Sequence, residues 1–428
     1  MSQETSTQSR RAVEALRSGV PNRDAVQFLG CSQPEIEQRF REQLSGVSQG
    51  LEHGAGSGGT LIAGDFGSGK SHVLEYLQHV ALESNFVCSK VVISKETPLH
   101  DPAKVLTAAI ESAKVPGKKG NAVTEIARQL DFGSQRYAEF YKWLHSKEHG
   151  LSTRFAATLF VYERGKGSNE PEIANRIVQF WSGSRIVTGD LRGWLREMGE
   201  VATYRLDKVS VKELAIQRYQ FLPLLMVAAG YAGWVLLIDE VELIGRYSLR
   251  QRAKSYAEIA RLLGRLEWST VPGMTCVLTI TEAFEGEVLH DTRHNDEERI
   301  PNRLRASGRE ADLLLASQAE CGMRLISRER LPLNKPSDQT FEGIYDTVRR
   351  LHGQSYTWDP PGEFSFDRTK RIREHVKRWI HEWDLRRLYP DYTPQIEGTE
   401  IREDFTEQPE LEAADEFSQE NGVASSEV

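Results

Sequence analysis

The sequence predicts an α/β fold: a parallel sheet buried between helices. Three observations carry the prediction. Four short apolar runs rich in β-branched residues stand apart along the chain, segments of helical periodicity separate them, and a glycine-rich stretch joins the first run directly to a helix.

The first fifty residues read as helices. Val13, Leu16 and Val20 recur at helical spacing, and "SQPEIEQRFREQL" offers Ser32 as an N-cap, Pro34 early and Glu35 as a capping acid. "EHGAGSGG" then leads into the first strand, "TLIAG", and helix resumes over residues 71–82. The second, third and fourth strands are expected at 86–96, 234–240 and 274–284. Residues 104–230 read as a helical insertion whose aromatic stripes, such as "YAEFYKWL" and "IVQFWSG", serve a core. The uncharged stretch 221–238 is interrupted by Pro223, Gly230 and Gly233 and runs into Asp239 and Glu240, which makes it a core helix, a turn and a buried strand rather than a membrane span. Beyond the fourth strand, "MRLIS" is a candidate fifth strand, and residues 332–336 mark a boundary. Four regions result: an N-terminal helical segment (1–50), a core with its insertion (51–335), a small helical domain (336–392) and an acidic tail (393–428).

Bulk composition excludes little. The chain has 428 residues, 39% hydrophobic and 27% charged, as expected of a soluble globular protein. Its net charge of −8 is concentrated in residues 397–428, where about eleven carboxylates face Arg402 alone, the pattern of a solvated tail. Cys31, Cys88, Cys276 and Cys321 form no CxxC pair, so neither a disulfide framework nor a zinc site is indicated. With no apolar secretory leader, a cytoplasmic location is expected.

The chemistry begins at residues 64–71, "GDFGSGKS", which match G-x-x-x-x-G-K-[ST] between a strand and a helix. Glycines let backbone N–H groups turn inward as an anion nest at a helix N-terminus, so Gly64, Asp65, Phe66, Gly67, Ser68, Gly69, Lys70, Ser71 and His72 are expected to hold ATP. Lys70 would meet the β- and γ-phosphates and the Ser71 hydroxyl a Mg²⁺ ion. The third strand ends in Asp239, a second metal ligand, and Glu240, placed to orient water. If the fourth strand lies between the two motif strands, Thr279 or, nearer its end, Thr281 can hydrogen-bond the γ-phosphate or the water; Thr281 is favoured. Arg299, Arg303 and Arg305 are candidates for acting across a subunit boundary in a homo-oligomer, Arg303 among the catalytic set.

Two basic segments raise double-stranded DNA as a partner. One carries Arg246, Arg250, Arg252 and Lys254; the other, near the C-terminus, carries Arg368, Lys370, Arg371, Arg373, Lys377 and Arg378 opposite an apolar side of Ile372, Val376, Trp379, Ile380 and Trp383. A solvated helix face explains them equally well, and no motif for base-specific recognition is present.

The segments "GDFGSGKSHVLEYL", "VVISKETPLHDP" and "VLLIDEVELIGRYSLRQRAKSY", with "LRSGVPNRDAV" and "IVQFWSG", resemble the ATP-binding BrxD proteins of BREX anti-phage systems over about residues 10–390. The resemblance implies an AAA+/ASCE-like P-loop NTPase, a three-layer sandwich with a large helical insertion and a small C-terminal helical domain, that works with other BREX components on DNA or chromosome-associated assemblies. More distantly the chain resembles the origin-recognition and helicase-loader branch of AAA+ proteins, a resemblance that implies a helical or winged-helix DNA-binding domain over residues 336–392. Two other functions stay open from the residues alone. One is a nucleotide-gated scaffold that binds ATP with negligible turnover and recruits partners; the other is a small-molecule kinase.

Overall fold

A computed structural model of the chain describes residues 3–19, 23–53, 58–146, 149–165, 171–267, 270–362, 367 and 372–390. The acidic tail expected from residue 393, and with it Val20, Arg368, Lys370 and Arg371, lies outside the described residues.

Helices α1 (Gln3–Ser18), α2 (Arg23–Leu29) and α3 (Pro34–His53) precede strand β1 (Thr60–Ala63), helix α4 (Lys70–Glu83) and strand β2 (Val87–Val92). Seven helices follow: α5 (Pro102–Glu111), α6 (Ala122–Gln129), α7 (Gln135–His145), α8 (Thr153–Gly165), α9 (Pro171–Trp181), α10 (Thr188–Glu197) and α11 (Val211–Ala228). Then come β3 (Trp234–Asp239), a 3-10 helix (Val241–Arg246), α12 (Leu249–Leu262), β4 (Met274–Ile280), α13 (Asp296–Arg305), α14 (Glu310–Arg328), β5 (Leu331–Pro332), α15 (Asp338–Tyr356) and α16 (Ile372–Leu388). The "MRLIS" stretch is helical, the last turns of α14: Ala316, Ala319, Met323 and Ile326 are buried at helical spacing. The fifth strand instead comes from Leu331 and Pro332, beyond the end of that helix. Helix α3 likewise starts at Pro34, so Ser32 stands outside its capping position.

The sheet has the order β2-β3-β4-β1-β5, and every pairing is parallel. Period-two alternation sends its residues to two cores. Leu61, Ala63, Leu236, Ile238, Leu278 and Ile280 point to the side covered by the insertion and by α12 to α14; Ile62, Val235, Leu237 and Val277 point to the side covered by α3 and α4. Buried Gln43 of α3 ties that second layer down: its amide donates to the Cys276 carbonyl (2.9 Å) and accepts from Thr60 (2.8 Å), so no strand-end polar group is orphaned there.

A third apolar cluster joins the two ends of the chain. Ala12, Val13, Leu16 and Ala25 of α1 and α2 pack with Phe341, Tyr345 and Val348 of α15 and with Val376, Trp379, Ile380 and Trp383 of α16. The expected apolar side of the last helix therefore does face a core, one half built from the first helices.

Candidate nucleotide site

The glycine loop grows straight out of the sheet. Gly64 N–H continues the ladder to the Ile280 carbonyl at 3.1 Å, and α4 begins at Lys70. Gly67 and Gly69 take φ of 76° and 108°, a region open to glycine at little cost. At Gly64 the constraint is space: a Cβ there would sit 2.7 Å from Ser68 Oγ and 2.6 Å from Leu333. Lys70, nearly fully buried, donates from Nζ to the Gly64 carbonyl at 3.0 Å. The Asp65 carbonyl accepts from Ser68 N–H at 3.1 Å, which closes the turn. The Ser68 hydroxyl is buried with no hydrogen-bond partner.

Parallel register brings the acidic strand end beside this loop. Ala63 pairs with Ile280, and Ile238 with Leu278, so the C-terminal ends of β1, β4 and β3 lie level. Asp239 is buried, and its Oδ1 accepts from Thr279 Oγ1 at 2.6 Å and from Glu240 N–H at 3.1 Å. Oδ2 carries no hydrogen bond. Glu240 takes the left-handed conformation, φ 62° and ψ 35°, which turns the chain abruptly into the 3-10 helix. Thr281 lies just past β4 on the face that Thr279 occupies, and its hydroxyl is buried without a partner. Of the two threonines, Thr279 is thus the one committed to Asp239, and Thr281 the one with a spare donor and acceptor.

That abrupt turn delivers a residue the sequence analysis missed. Glu242 is buried, with Oε1 3.4 Å from Lys70 Nζ and neither carboxylate oxygen hydrogen-bonded. Burial pushes its carboxyl up to about 7, opposed by the Lys70 charge and reinforced by Glu240. The available signal was a third acid in "IDEVE", but strand periodicity cannot foretell that a 3-10 turn folds it back onto the lysine.

Residues Gly67, Ser68, Gly69, Ser71 and His72 form one wall of a cavity of about 400 Å³. The opposite wall is the two-ended helical cluster: Leu16, Leu29, Ile344 and Val376 give it an apolar lining, and Arg373 a cation. Arg373 stacks its guanidinium over the Phe66 ring, 5.8 Å from the centroid. His72 is drawn toward α2, where Nε2 donates to the Gly30 carbonyl at 2.8 Å; burial holds its basicity down. An apolar half beside an amide-lined half suits a base joined to a polyphosphate. No motif in the sequence points to Arg373 or the apolar wall, because they come from helices remote from the loop.

The donor set also suits Mg²⁺. No group of three or more His, Cys, Asp or Glu side chains is placed to hold a metal among the described residues, whereas Mg²⁺ typically takes one or two protein oxygens plus phosphate and water. Ser71 at the loop and the open Oδ2 of Asp239 fit that habit.

The remaining candidates fall elsewhere. Arg299 and Arg303 line a separate cavity, and Arg305 pairs with Glu320 at 2.6 Å. The basic segment after β3 is partly structural: Arg252 is buried in a bidentate pair with Asp296 (2.8 and 2.9 Å). In the C-terminal segment, Arg373 faces Phe66 and Lys377 lies against Gly19, so the described cations nearest the start of α16 turn toward the protein rather than outward. No helix among the described residues is long and apolar enough to cross a membrane.

A family model described as "BREX system ATP-binding protein BrxC/D" matches residues 5–295, which includes the loop, both acidic residues of the strand end, and the insertion. Searches of curated proteins and of solved structures give no match.

Proposed function

The chain belongs to the BREX system ATP-binding protein BrxC/D family, and on that premise we propose that it is a P-loop, AAA+-like ATPase of the BrxD type. It would bind and hydrolyse ATP for an anti-phage defence assembly with other BREX components. One observation carries the reading: the level ends of β1, β4 and β3 gather the glycine loop, Asp239 and the two threonines, while Glu242 reaches Lys70.

In this reading the loop amides and the N-terminus of α4 receive the phosphates, and Lys70 leaves Glu242 for the β- and γ-oxygens. Ser71 and Asp239 hold Mg²⁺, which supplies neutralisation of the phosphate charge. Thr279 fixes the Asp239 carboxylate by taking up Oδ1. Glu240 orients the attacking water and accepts its proton, with Thr281 offering a second hydrogen bond to that water. Arg373, on the helical-cluster wall and over the Phe66 ring, adds a cation to the side of the cavity away from the sheet.

The test measures nucleotide binding and phosphate release separately. Lys70→Ala is expected to lose ATP binding, and Glu240→Gln to bind ATP while releasing no phosphate. Wild-type protein that binds ATP but releases no phosphate in any oligomeric state, with Glu240→Gln leaving defence intact, would replace the ATPase with a nucleotide-gated scaffold.

A further inference from the structure

We propose that a second anion site, outside the nucleotide cavity, holds the phosphodiester backbone of duplex DNA. It is a cavity of about 530 Å³ where the start of α12, the outer side of α13 and the turn into α14 meet, and Arg250, Arg299, Arg303 and Arg309 all line it. Buried Asp312 organises two of them. Its Oδ1 accepts from Arg250 at 2.8 Å, and its Oδ2 from Arg309 at 2.9 Å and Ser307 at 2.7 Å. Hydrogen bonds from Ser307 and Arg250 hold this carboxyl below the usual range. Arg299 donates only to carbonyls, those of Arg293 (2.6 Å) and His294 (3.2 Å), and exposed Arg303 has no bonding partner. Four guanidiniums and one carboxylate thus line the cavity, with two of the four bonded to that carboxylate.

The cavity lining itself carries four guanidiniums against a single carboxylate, Asp312, and the nearby Asp296 is committed to Arg252. Guanidiniums held in place by a buried carboxylate form a preorganised phosphate receptor, because the fork geometry is set before the ligand arrives. No aromatic ring lines the cavity, so nothing there stacks a base; the site reads charge and spacing, as backbone contacts do. The cations come from the start of α12, from α13 and from the turn into α14, and Arg299 and Arg303 have no carboxylate partner that a phosphate would have to displace. Helix α12 begins just past the 3-10 helix that carries Glu242, so a duplex pulling on Arg250 loads the element that touches Lys70.

The test uses full-length, nucleotide-free protein and a labelled duplex followed by anisotropy across a salt series, so its outcome does not depend on the ATPase reading. Wild type is expected to bind, with log K falling linearly in log salt. Removing one phosphate contact in Arg303→Ala should lessen that slope by about 0.9. Arg303→Glu should weaken binding about tenfold or more at about 100 mM salt, and Lys142→Glu, an exposed charge reversal on α7, less than about twofold. Arg303 is exposed and unpaired, so neither variant threatens the fold. Equal affinity of wild type and Arg303→Glu, or no duplex binding by wild type, overturns the proposal. Phosphate release that rises with protein concentration without DNA, and is lost in Arg303→Ala, would assign the arginines to a second copy's triphosphate instead.

Discussion

If the proposed site takes a nucleotide, the contact between Lys70 and Glu242 would set the cost of admitting it. With neither Glu242 oxygen hydrogen-bonded, the carboxylate is compensated chiefly by the lysine, and a phosphate must compete for that lysine. Glu242→Gln removes the competitor and should tighten ATP binding about tenfold, or about 1.4 kcal/mol, measured by titration calorimetry. The pH dependence follows from the same burial. Folded Glu242 keeps its proton up to about 7, whereas the unfolded chain releases it near 4.5. Between those values the folded state binds the extra proton, so stability falls as pH rises, by about 3 kcal/mol across the window, and the loss is complete above about 7. Denaturant titrations at pH 5 and 8 should show this fall in wild type and a flatter profile in Glu242→Gln. Wild-type ATP affinity should also strengthen as pH drops from 8 to 6, relative to that variant.

At the scale of elements, α12 and α14 are the pair whose packing tolerates least. Gly322 of α14 meets the α12 backbone so closely that a Cβ would lie 2.0 Å from the Tyr256 carbonyl oxygen, a main-chain atom unable to step aside. Gly322→Ala should cost about 2 kcal/mol or more, read as a lower denaturant midpoint. Beside it, Asp296 accepts from Arg252 and, at 2.8 Å, from the Tyr256 hydroxyl, all three buried. Asp296→Ala strands a buried guanidinium and should cost about 3–5 kcal/mol. These elements also show where reading the sequence succeeds and fails. The strands at 60–63, 87–92, 234–239 and 274–280 were legible as short runs rich in apolar and β-branched residues set apart by helical segments, most plainly Trp234–Asp239, where every residue is buried. "MRLIS" satisfies the same local criterion, yet only its longer helical spacing, with Ala316 and Ala319, reveals a helix. Arg252 looked like part of a basic surface because its partner lies in a helix beyond the next strand.

For the whole molecule, the helical cluster makes the nucleotide cavity depend on both termini at once. The glycine loop was legible because its glycines and lysine stand at fixed spacing between a strand and a helix, and the strand end at Asp239 and Glu240 because an apolar run closes on two acids. The apolar wall was not, because it arises where α1 and α2 meet α15 and α16, a relation with no local signature. Val13 and Leu16 of α1 are buried against Trp379 and Trp383 of α16, and each such side chain contributes about 1.5–3 kcal/mol by burial. A chain lacking residues 1–32 would lose those side chains together with Ala12, Ala25 and the α2 end that receives His72. That loss exceeds what a pair of remaining helices can offset, so α15 and α16 should loosen while the sheet, whose two cores draw on α3 and later elements, stays folded. The expected result is a red-shifted tryptophan emission with most far-ultraviolet ellipticity retained, and ATP binding weakened more than tripolyphosphate binding, since the wall facing the base is lost while the amide nest survives. Truncated protein that keeps native tryptophan emission and full ATP affinity would mean that the C-terminal helices fold and close the cavity without the N-terminal ones.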